Sequence, residues 1–388
     1  MRILVLCTDQ GVRVPGTKGA ALHLGAVTRA FAQLGHEVLL MGVAGHDAPD
    51  VDCRTWLLSH PGRAEGRQQE LNKLALTAQF ATRGLDVAVS FAPDVVYERL
   101  SLFGTAGLAL ADATGAEHVL EVNAILSREQ SRWRGLHHVE EAVRREELTL
   151  CGADQVVAVS DEVAQAVREV RGERVHTVPN GFDEQLFEAE VDRDAVRGGW
   201  GVGGRERVAV FVGTLRPWHG VEHAVRALPH APREVRLVVV GDGPGRLELE
   251  RLAEQCRVSD RVVLTGALSH TDAVAAVRSA DLGLAPYPEL DDFAFSPLKL
   301  YEYLAAGLPF VASRLGQISA LVDEYGSGLL VQPGDPLALA EGIRSTVSDA
   351  GAADRADRAR TLAFDRCGWR ARASQILTLT TRTGVAVP

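Results

Sequence analysis

Ser296 and Lys299 stand together at the start of a predicted helix, in the stretch FAFSPLKLYEYLAAGLP. Its apolar residues recur at helical spacing, and Pro297 suits a first helical position because its missing N–H is not needed there. The helix start leaves free N–H groups at the positive end of the helix dipole, beside a hydroxyl and a cation. This combination predicts a site for an anion such as phosphate. An ordinary capped helix is the alternative.

Glu302 lies one turn further along this helix. Its carboxylate would repel a phosphate but could accept hydrogen bonds from sugar or ribose hydroxyls. The apolar spacing turns Leu300 and Leu304 towards a core, so Lys299, Glu302 and Tyr303 are expected to project from other faces.

Further candidate groups follow the predicted strands of the second half. Arg216 comes after the strand Val208–Val212, where an arginine can bind a phosphate with two parallel hydrogen bonds. A glycine-rich turn, Gly241–Gly245, follows the next strand, and Pro286–Tyr287 follows a later one. Because ligands bind at the carboxyl ends of parallel strands, these turns predict one site.

The first half begins with an apolar strand, a loop that contains Gly16 and Gly19, and an amphipathic helix. The two glycines could let a phosphate or sugar approach the backbone, and Thr17 and Lys18 add a hydroxyl and a charge. A surface turn with a solvated lysine is the alternative. The loop does not match the GxGxxG fingerprint, which disfavours a dinucleotide site.

Polar residues also close two later strands of the first half. Arg99 ends the strand from Asp94, and Glu121 and Asn123 end the strand from His118. Arg99 is a candidate contact for an acceptor molecule, although a salt bridge to a neighbouring carboxylate is an equal alternative. Lys73, on a predicted helix, is a second candidate. Ser101–Gly115 is predicted to be helical.

Length and composition limit the functional classes. The chain has 388 residues, so two domains are expected. A net charge of −10 disfavours a nucleic-acid partner. Five scattered cysteines without a CxxC pair fit a reducing cytoplasm rather than a disulfide framework or a zinc site. No apolar run approaches the roughly 20 residues of a membrane helix, so no stable membrane insertion is expected.

The ordered motifs resemble those of the family 4 glycosyltransferases over nearly the whole chain. They are Gly16-x-x-Gly19, Pro179–Asp183, Gly213–Gly220, Gly241–Pro244 and Ser296–Pro309. The resemblance implies an α/β chain of the GT-B fold, with two Rossmann-like domains facing across a cleft. Residues 1–182, joined by a final helix at about 368–388, would bind the acceptor. Residues 183–367 would bind the nucleotide sugar.

The resemblance also assigns roles to residues. Glu302 should bind the ribose hydroxyls, and amides near Ser296, Pro297 and Leu298 should hold the diphosphate, with Leu298 and Lys299 the better donors because proline has no N–H. Arg216, Lys299, Asn123 and Glu121 are the candidate catalytic residues, and Thr17, Lys18, Lys73 and Arg99 the candidate acceptor contacts. The residues expected to bind the donor are Gly16, Gly19, Gly213, Thr214, His219, Gly241, Gly243, Arg261, Val262, Tyr287, Ser296, Pro297, Leu298 and Glu302.

Four positions depart from the family pattern. Its phosphate-binding Arg and Lys, in G-R-L-x-x-x-K-G, fall on Thr214 and His219 here. Arg216 is the nearest replacement, and a protonated His219 could donate to a phosphate. The first glutamate of the E-x(7)-E pair falls on Ala294, which leaves the transferred sugar open. Asn123 stands where the family often has a histidine, which weakens the case for a general base.

The resemblance implies a retaining hexosyl transfer that needs no metal or other cofactor. The expected partners are a nucleotide sugar, with a UDP- or GDP-linked sugar as the first expectation, and a small, soluble acceptor. Whether the chain forms a homodimer is left open. One alternative is a sugar-nucleotide epimerase of the same architecture, for which Glu121 is the evident acid or base. Another is a non-catalytic nucleotide-sugar-binding protein. A dehydrogenase is disfavoured by the missing dinucleotide fingerprint.

Overall fold

A computed structural model of the protein describes residues 1–16, 19–45, 53–133, 135–290 and 296–381. The chain forms two compact units. The first consists of Met1–Asn180, Ala294–Ser296 and Trp369–Pro388, and the second of Gly181–Phe293 and Pro297–Gly368. The division expected at residues 182 and 368 lies close to these bounds.

The first unit is built on a parallel sheet. Its strands are β1 (Arg2–Leu6), β2 (Arg13–Val14), β3 (Glu37–Ala44), β4 (Arg54–Leu58), β5 (Val95–Arg99), β6 (Glu117–Val122), β7 (Gln155–Ala158) and β8 (Val175–Thr177). Their order among the described residues is β2-β3-β1-β5-β6-β7-β8, with β4 also paired to β3. Ile3 to Leu6 of β1 are fully buried, as expected for a parallel strand covered on both faces.

Helices flank this sheet. They are α1 (Gly19–Gln33), α2 (Gly66–Arg83), α3 (Leu85–Phe91), α4 (Ala106–Thr114), α5 (Leu126–Trp133), α6 (Val139–Gly152) and α7 (Asp161–Arg171). The predicted helix Ser101–Gly115 is wrong in its first turn, since α4 begins at Ala106. Leu102 and Phe103 pack against Ala142 of α6, and Phe103 adopts a positive φ of 67° that a helix does not permit.

The second unit has a six-stranded parallel sheet among the described residues. Its strands are β9 (Arg207–Val212), β10 (Val235–Val240), β11 (Val262–Gly266), β12 (Leu282–Ala285), β13 (Phe310–Ser313) and β14 (Gly328–Val331). Their order is β11-β10-β9-β12-β13-β14, so the direction of winding reverses between β9 and β12. In sheets of this kind the ligand site lies at the carboxyl ends of the strands at that reversal. The prediction of two Rossmann-like units is confirmed.

The helices of the second unit alternate with its strands. They are α8 (Glu184–Glu188), α9 (Arg193–Gly199), α10 (Val221–Ala227), α11 (Arg246–Gln255), α12 (His270–Arg278), α13 (Leu298–Ala305), α14 (Gly316–Tyr325), α15 (Pro336–Ser348) and α16 (Ala352–Cys367). A last helix, α17 (Trp369–Thr378), belongs to the first unit.

Tyr303 docks α13 onto the two strands at the reversal. Its hydroxyl lies 3.2 Å from the carbonyl oxygen of Val210 in β9 and 3.0 Å from that of Leu284 in β12. A Cβ at Gly283 would lie 2.5 Å from the Tyr303 ring, so a glycine is needed there. The expectation that Tyr303 projects away from the core is therefore wrong: its side chain is fully buried.

Candidate functional site

Three loops meet backbone to backbone at the reversal in the second unit. A Cβ at Gly241, after β10, would lie 2.0 Å from the carbonyl oxygen of Gly213, after β9. A Cβ at Gly220 would lie 2.0 Å from the carbonyl oxygen of Pro286, after β12. Side chains at these two glycines would push the loops apart, which explains why the motifs carry glycine there. A Cβ at Gly243 would lie 2.8 Å from the backbone nitrogen and oxygen of Leu215, in the loop after β9.

The Lys299 side chain enters this group of loops from the first turn of α13. Its Nζ lies 4.1 Å from the ring centre of Phe211 and 5.0 Å from that of Tyr287. A Cβ at Gly213 would lie 3.4 Å from the same Nζ. The expectation that Lys299 projects from the helix away from the core is wrong, because the residue is 7% exposed.

The buried Nζ of Lys299 makes no hydrogen bond to any described residue. Burial lowers the pKa of this amine from 10.5 to about 7, and the charge of Glu302 opposes that shift. The faces of the two aromatic rings attract a cation but supply no counter-charge. A buried cation without a carboxylate partner is costly, so an incoming anion would find its binding partner already in place.

His219 lies beside Lys299, and its Nδ1 is 2.7 Å from the carbonyl oxygen of Thr214. Since a carbonyl only accepts hydrogen bonds, Nδ1 carries the proton. Burial, together with the charge of Lys299, lowers the pKa of His219 to about 3. This corrects the expectation that a protonated His219 donates to a phosphate, because the Nε2 of the neutral ring bears only a lone pair.

Arg216 and Thr214 are exposed residues of the loop after β9. The Arg216 guanidinium lies 5.5 Å from the ring centre of Trp218, a cation–π distance. Arg216 is thus an accessible cation on the same loop as His219, which lies beside Lys299. By contrast, the buried ring of Tyr287 contributes an aromatic face under Lys299, and burial raises the pKa of its hydroxyl above the usual range.

The start of α13 differs by one residue from the prediction, which put Pro297 at the first helical position. Pro297 occupies the N-cap position, and the Leu300 amide donates to its carbonyl oxygen at 3.0 Å. Among the described residues no hydrogen bond is recorded for the amides of Leu298 and Lys299, which are the two expected donors. Ser296 has a different partner: its hydroxyl accepts from the backbone amide of Asn180 at 3.0 Å, within the first unit. Ala294 lies outside the described residues.

Glu302 has a neighbour that the sequence motifs do not indicate. The Nε2 of His270, in the first turn of α12, lies 3.3 Å from the Glu302 Oε1. Both side chains are partly exposed. The position of His270, at a helix start just after the strand β11, is the same signal that singles out Arg216 and could have identified it.

Arg261 and Val262 do not belong to this group. They lie at the amino end of β11, and the Arg261 guanidinium donates to the carbonyl oxygens of Val235, Leu228 and Pro232 at 2.7–3.0 Å. The prediction that these two residues bind the donor is therefore corrected, because the candidate site lies at the other end of the parallel strands.

In the first unit, Glu121 is the centre of a buried network. Its Oε2 accepts from His23 at 2.7 Å and from the Tyr97 hydroxyl; its Oε1 accepts from Arg99 at 3.0 Å and from the Asn123 amide. Two donors on each oxygen fill the lone pairs of the carboxylate. Burial alone would raise the pKa of Glu121, but His23 and Arg99 with the hydrogen bonds lower it well below its usual range.

This network corrects the catalytic assignment of Glu121. The side chain is 3% exposed and saturated with donors, so it cannot take a proton from a substrate. Its effect is to orient other groups. Arg99 is held in a salt bridge with it, and the Asn123 amide nitrogen faces Glu121, so the Asn123 carbonyl oxygen points away from Glu121. His23, which the motifs do not indicate, also contacts the Trp369 ring edge-on at 4.6 Å.

The other residues predicted in the first unit are more scattered. Gly16 ends the described part of the loop before α1, and Gly19 is the first residue of that helix. Thr17 and Lys18 lie outside the described residues. Lys73 is a half-buried residue of α2; its neighbour Leu74 packs against the Leu102–Phe103 loop that follows β5. No described contact joins Lys73 to the Glu121 network.

Among the residues described here, no helix is long and apolar enough to cross a membrane. Nor does any group of three or more His, Cys, Asp or Glu side chains in the described part of the chain have an arrangement that could hold a metal ion.

Comparison with known proteins relates both units to one enzyme family. The Glycosyltransferase Family 4 model matches residues 17–186, and a model described as Glycosyl transferases group 1 matches residues 206–349. The chain is 33% identical over 245 residues to the D-inositol 3-phosphate glycosyltransferase of Xylanimonas cellulosilytica. That match covers 58% of this chain and 58% of the relative, so less than two thirds of the relative's length is represented.

Solved structures share the fold of the chain. The sucrose-phosphate synthase of Thermosynechococcus elongatus superimposes with a TM-score of 0.76 at 21% identity, over 97% of each chain. The HepE protein of Anabaena, solved with UDP and glucose, superimposes with a TM-score of 0.75 at 21% identity, over 97% of this chain and 98% of its own. These neighbours show the fold. The two family models, which match residues 17–186 and 206–349, show that the chain belongs to the family 4 glycosyltransferases.

Proposed function

We propose that this glycosyltransferase moves a sugar from a nucleoside diphosphate sugar to a hydroxyl of a small, soluble acceptor, with retention at the anomeric carbon and without a metal ion. The observation that carries the proposal is Lys299, a buried cationic side chain without an anionic hydrogen-bond partner among the described residues. A diphosphate supplies such a partner. The Anabaena neighbour solved with UDP and glucose supports a nucleotide sugar as the donor.

The proposed reaction breaks the bond between the anomeric carbon and the β-phosphate oxygen. Negative charge then grows on the β-phosphate, where Lys299, Arg216 and the free amides at the start of α13 stabilise it. The acceptor oxygen forms the new bond on the same face of the sugar, and its proton moves to the departing phosphate oxygen. No protein carboxylate has to act as the base, which agrees with the saturated Glu121.

The epimerase alternative loses its support, because Glu121 was its acid or base and has no free lone pair. A non-catalytic binding protein would bind the nucleotide sugar in the same way. Release of the nucleoside diphosphate on addition of an acceptor separates transfer from binding.

The first test of the proposal is thermal stabilisation by UDP-glucose, GDP-mannose, ADP-glucose and dTDP-glucose. A ligand that binds the folded chain raises the midpoint by mass action, by about 5 °C at saturating concentrations. We expect one nucleotide class to raise the midpoint of the native chain and to raise it much less in Glu302→Ala and Arg216→Ala. If none of the four sugars shifts the native chain, the proposed donor class is wrong.

The pKa of Lys299 predicts that donor binding takes up a proton. At pH 8 most of the amine is neutral in the free chain, since its pKa is about 7. A bound diphosphate favours the ammonium and raises its pKa, so affinity should fall as the pH rises above 7, by up to about tenfold per pH unit. Calorimetric titration of UDP at pH 8 in HEPES and in Tris measures the proton uptake from the difference in heat.

The other groups around Lys299 do not titrate in this range. His219 stays neutral because its pKa is about 3, and the raised pKa of Tyr287 keeps its hydroxyl protonated. The nearby Glu302 charge favours the ammonium. Lys299→Met is the control and should bind UDP without buffer dependence. Equal heats for the native chain in both buffers would contradict the prediction.

A further inference from the structure

The contact between His270 and Glu302 joins two helices of the second unit at the candidate site. Glu302 lies one turn into α13, and His270 is the first residue of α12, which follows the carboxyl end of β11. The Nε2 of His270 is 3.3 Å from the Glu302 Oε1. Because a carboxylate only accepts hydrogen bonds, this Nε2 carries the proton and donates it.

A capping interaction fixes the backbone at the start of α12, where His270 lies. The Ser269 hydroxyl accepts from the amide of Asp272 at 3.1 Å and donates to its carboxylate at 2.7 Å. Such a cap holds the first turn in place. His270 therefore has little freedom to leave Glu302 by movement of its backbone.

Glu302 keeps a free oxygen on the open side of this contact. Within the described part of the chain, its Oε1 accepts from His270 and no partner is recorded for Oε2. The side chain is 16% exposed, enough for a ligand to reach it. The carboxylate can thus accept from two neighbouring hydroxyls while the ring stops it from turning towards the Lys299 ammonium on its own helix.

We propose that His270 is a positioning residue that holds the Glu302 carboxylate for the two hydroxyls of the donor ribose. The inference rests on the proposed function, since it assumes a nucleoside diphosphate donor at this site. The inference adds His270, which lies outside the family motifs, to the residues of the site. It also predicts a specificity: the His270–Glu302 pair should distinguish ribose from a sugar that lacks the 2′- and 3′-hydroxyls.

The test compares UDP, ADP and GDP with their 2′,3′-dideoxy forms by calorimetric titration. The native chain should bind the ribose form of its preferred nucleotide about tenfold or more tightly than the dideoxy form, as expected for hydrogen bonds to a charged group. In His270→Leu this ratio should fall by about threefold to tenfold, with the affinity for the dideoxy form nearly unchanged. The KM for the donor should rise while kcat changes little.

His270→Gln provides the rescue, because its amide can still donate to Glu302 and should keep most of the ribose preference. His230→Gln is the matched control, an exposed histidine elsewhere in the second unit. Equal weakening of both ligand forms in His270→Leu would show a purely structural contact and overturn the inference, as would an unchanged ratio. If neither these three nucleotides nor dTDP binds the native chain, it is the proposed function that fails. Binding of dTDP alone, whose sugar lacks the 2′-hydroxyl, would overturn the inference but not the proposed function.

Discussion

Lys299→Met should lower kcat/KM for the nucleotide sugar by about 100-fold to 1000-fold, the range seen when a fixed group that stabilises transition-state charge is removed. Methionine fills a similar volume beside Phe211 and Tyr287 but supplies no charge to the β-phosphate. Steady-state kinetics over a range of donor concentrations measure the change. Arg251→Met removes a cation from an exposed position on α11 and should leave kcat/KM unchanged.

The same substitution should stabilise the folded chain. At pH 7 the native chain buries an amine without a hydrogen-bond partner among the described residues, and an apolar group of similar shape removes that cost, worth about 1–4 kcal/mol. Because the folded pKa of about 7 lies below the ordinary 10.5, the unfolded chain binds more protons between these values. The free energy of unfolding of the native chain should therefore rise with pH across this window, and Lys299→Met should lack that rise.

A second cation position separates loss of charge from loss of packing. A Cβ at Gly213 would lie 3.3 Å from the His219 Nδ1 and 3.4 Å from the Lys299 Nζ, so the two side chains converge on one point. The family pattern has a lysine at position 219. Adding His219→Lys to Lys299→Met should restore about tenfold of the lost kcat/KM. A Lys299→Met variant with native kcat/KM would refute the role of Lys299, whatever its stability.

Glu121→Ala should destabilise the first unit by about 3–5 kcal/mol, the cost of breaking a buried ion pair from one side. It leaves His23, Tyr97 and Arg99 without the carboxylate that all three share. Urea unfolding followed by fluorescence measures the change; Trp369, in edge-on contact with His23, is one of the tryptophans of this unit. Because folding lowers the pKa of Glu121, its contribution is present above the ordinary carboxyl pKa and is lost as the pH falls.

Glu141→Ala is the matched control in the same unit. Glu141 also pairs with two arginines, Arg144 and Arg145, but at the surface of α6, where solvent screens the charges. Its removal should cost about 0.5 kcal/mol or less. Equal destabilisation by the two substitutions would show that burial does not increase the contribution of the Glu121 network to the free energy of unfolding.

Local patterns in the sequence were enough to predict the fold and the strand ends at which the candidate site lies. Apolar runs such as Ile3–Cys7 and glycine turns such as Gly241–Gly245 depend on neighbours in the chain, so they predict parallel strands and the loops after them. The start of α13 near Pro297 and the accessible position of Arg216 in the loop after β9 also follow from the neighbouring sequence. Each of these features needs only the local backbone to take its form.

The tertiary structure alone decided the partners and the burial of the charged groups. Lys299 was expected to project from its helix away from the core. Instead, the packing of Tyr303 against β9 and β12 directs the first turn of α13 into the protein, so the Lys299 Nζ contacts the Phe211 ring. Glu121 is occupied because α1 brings His23 to it from 98 residues away. Such contacts join distant parts of the chain, and their energies depend on burial, which no local spacing encodes.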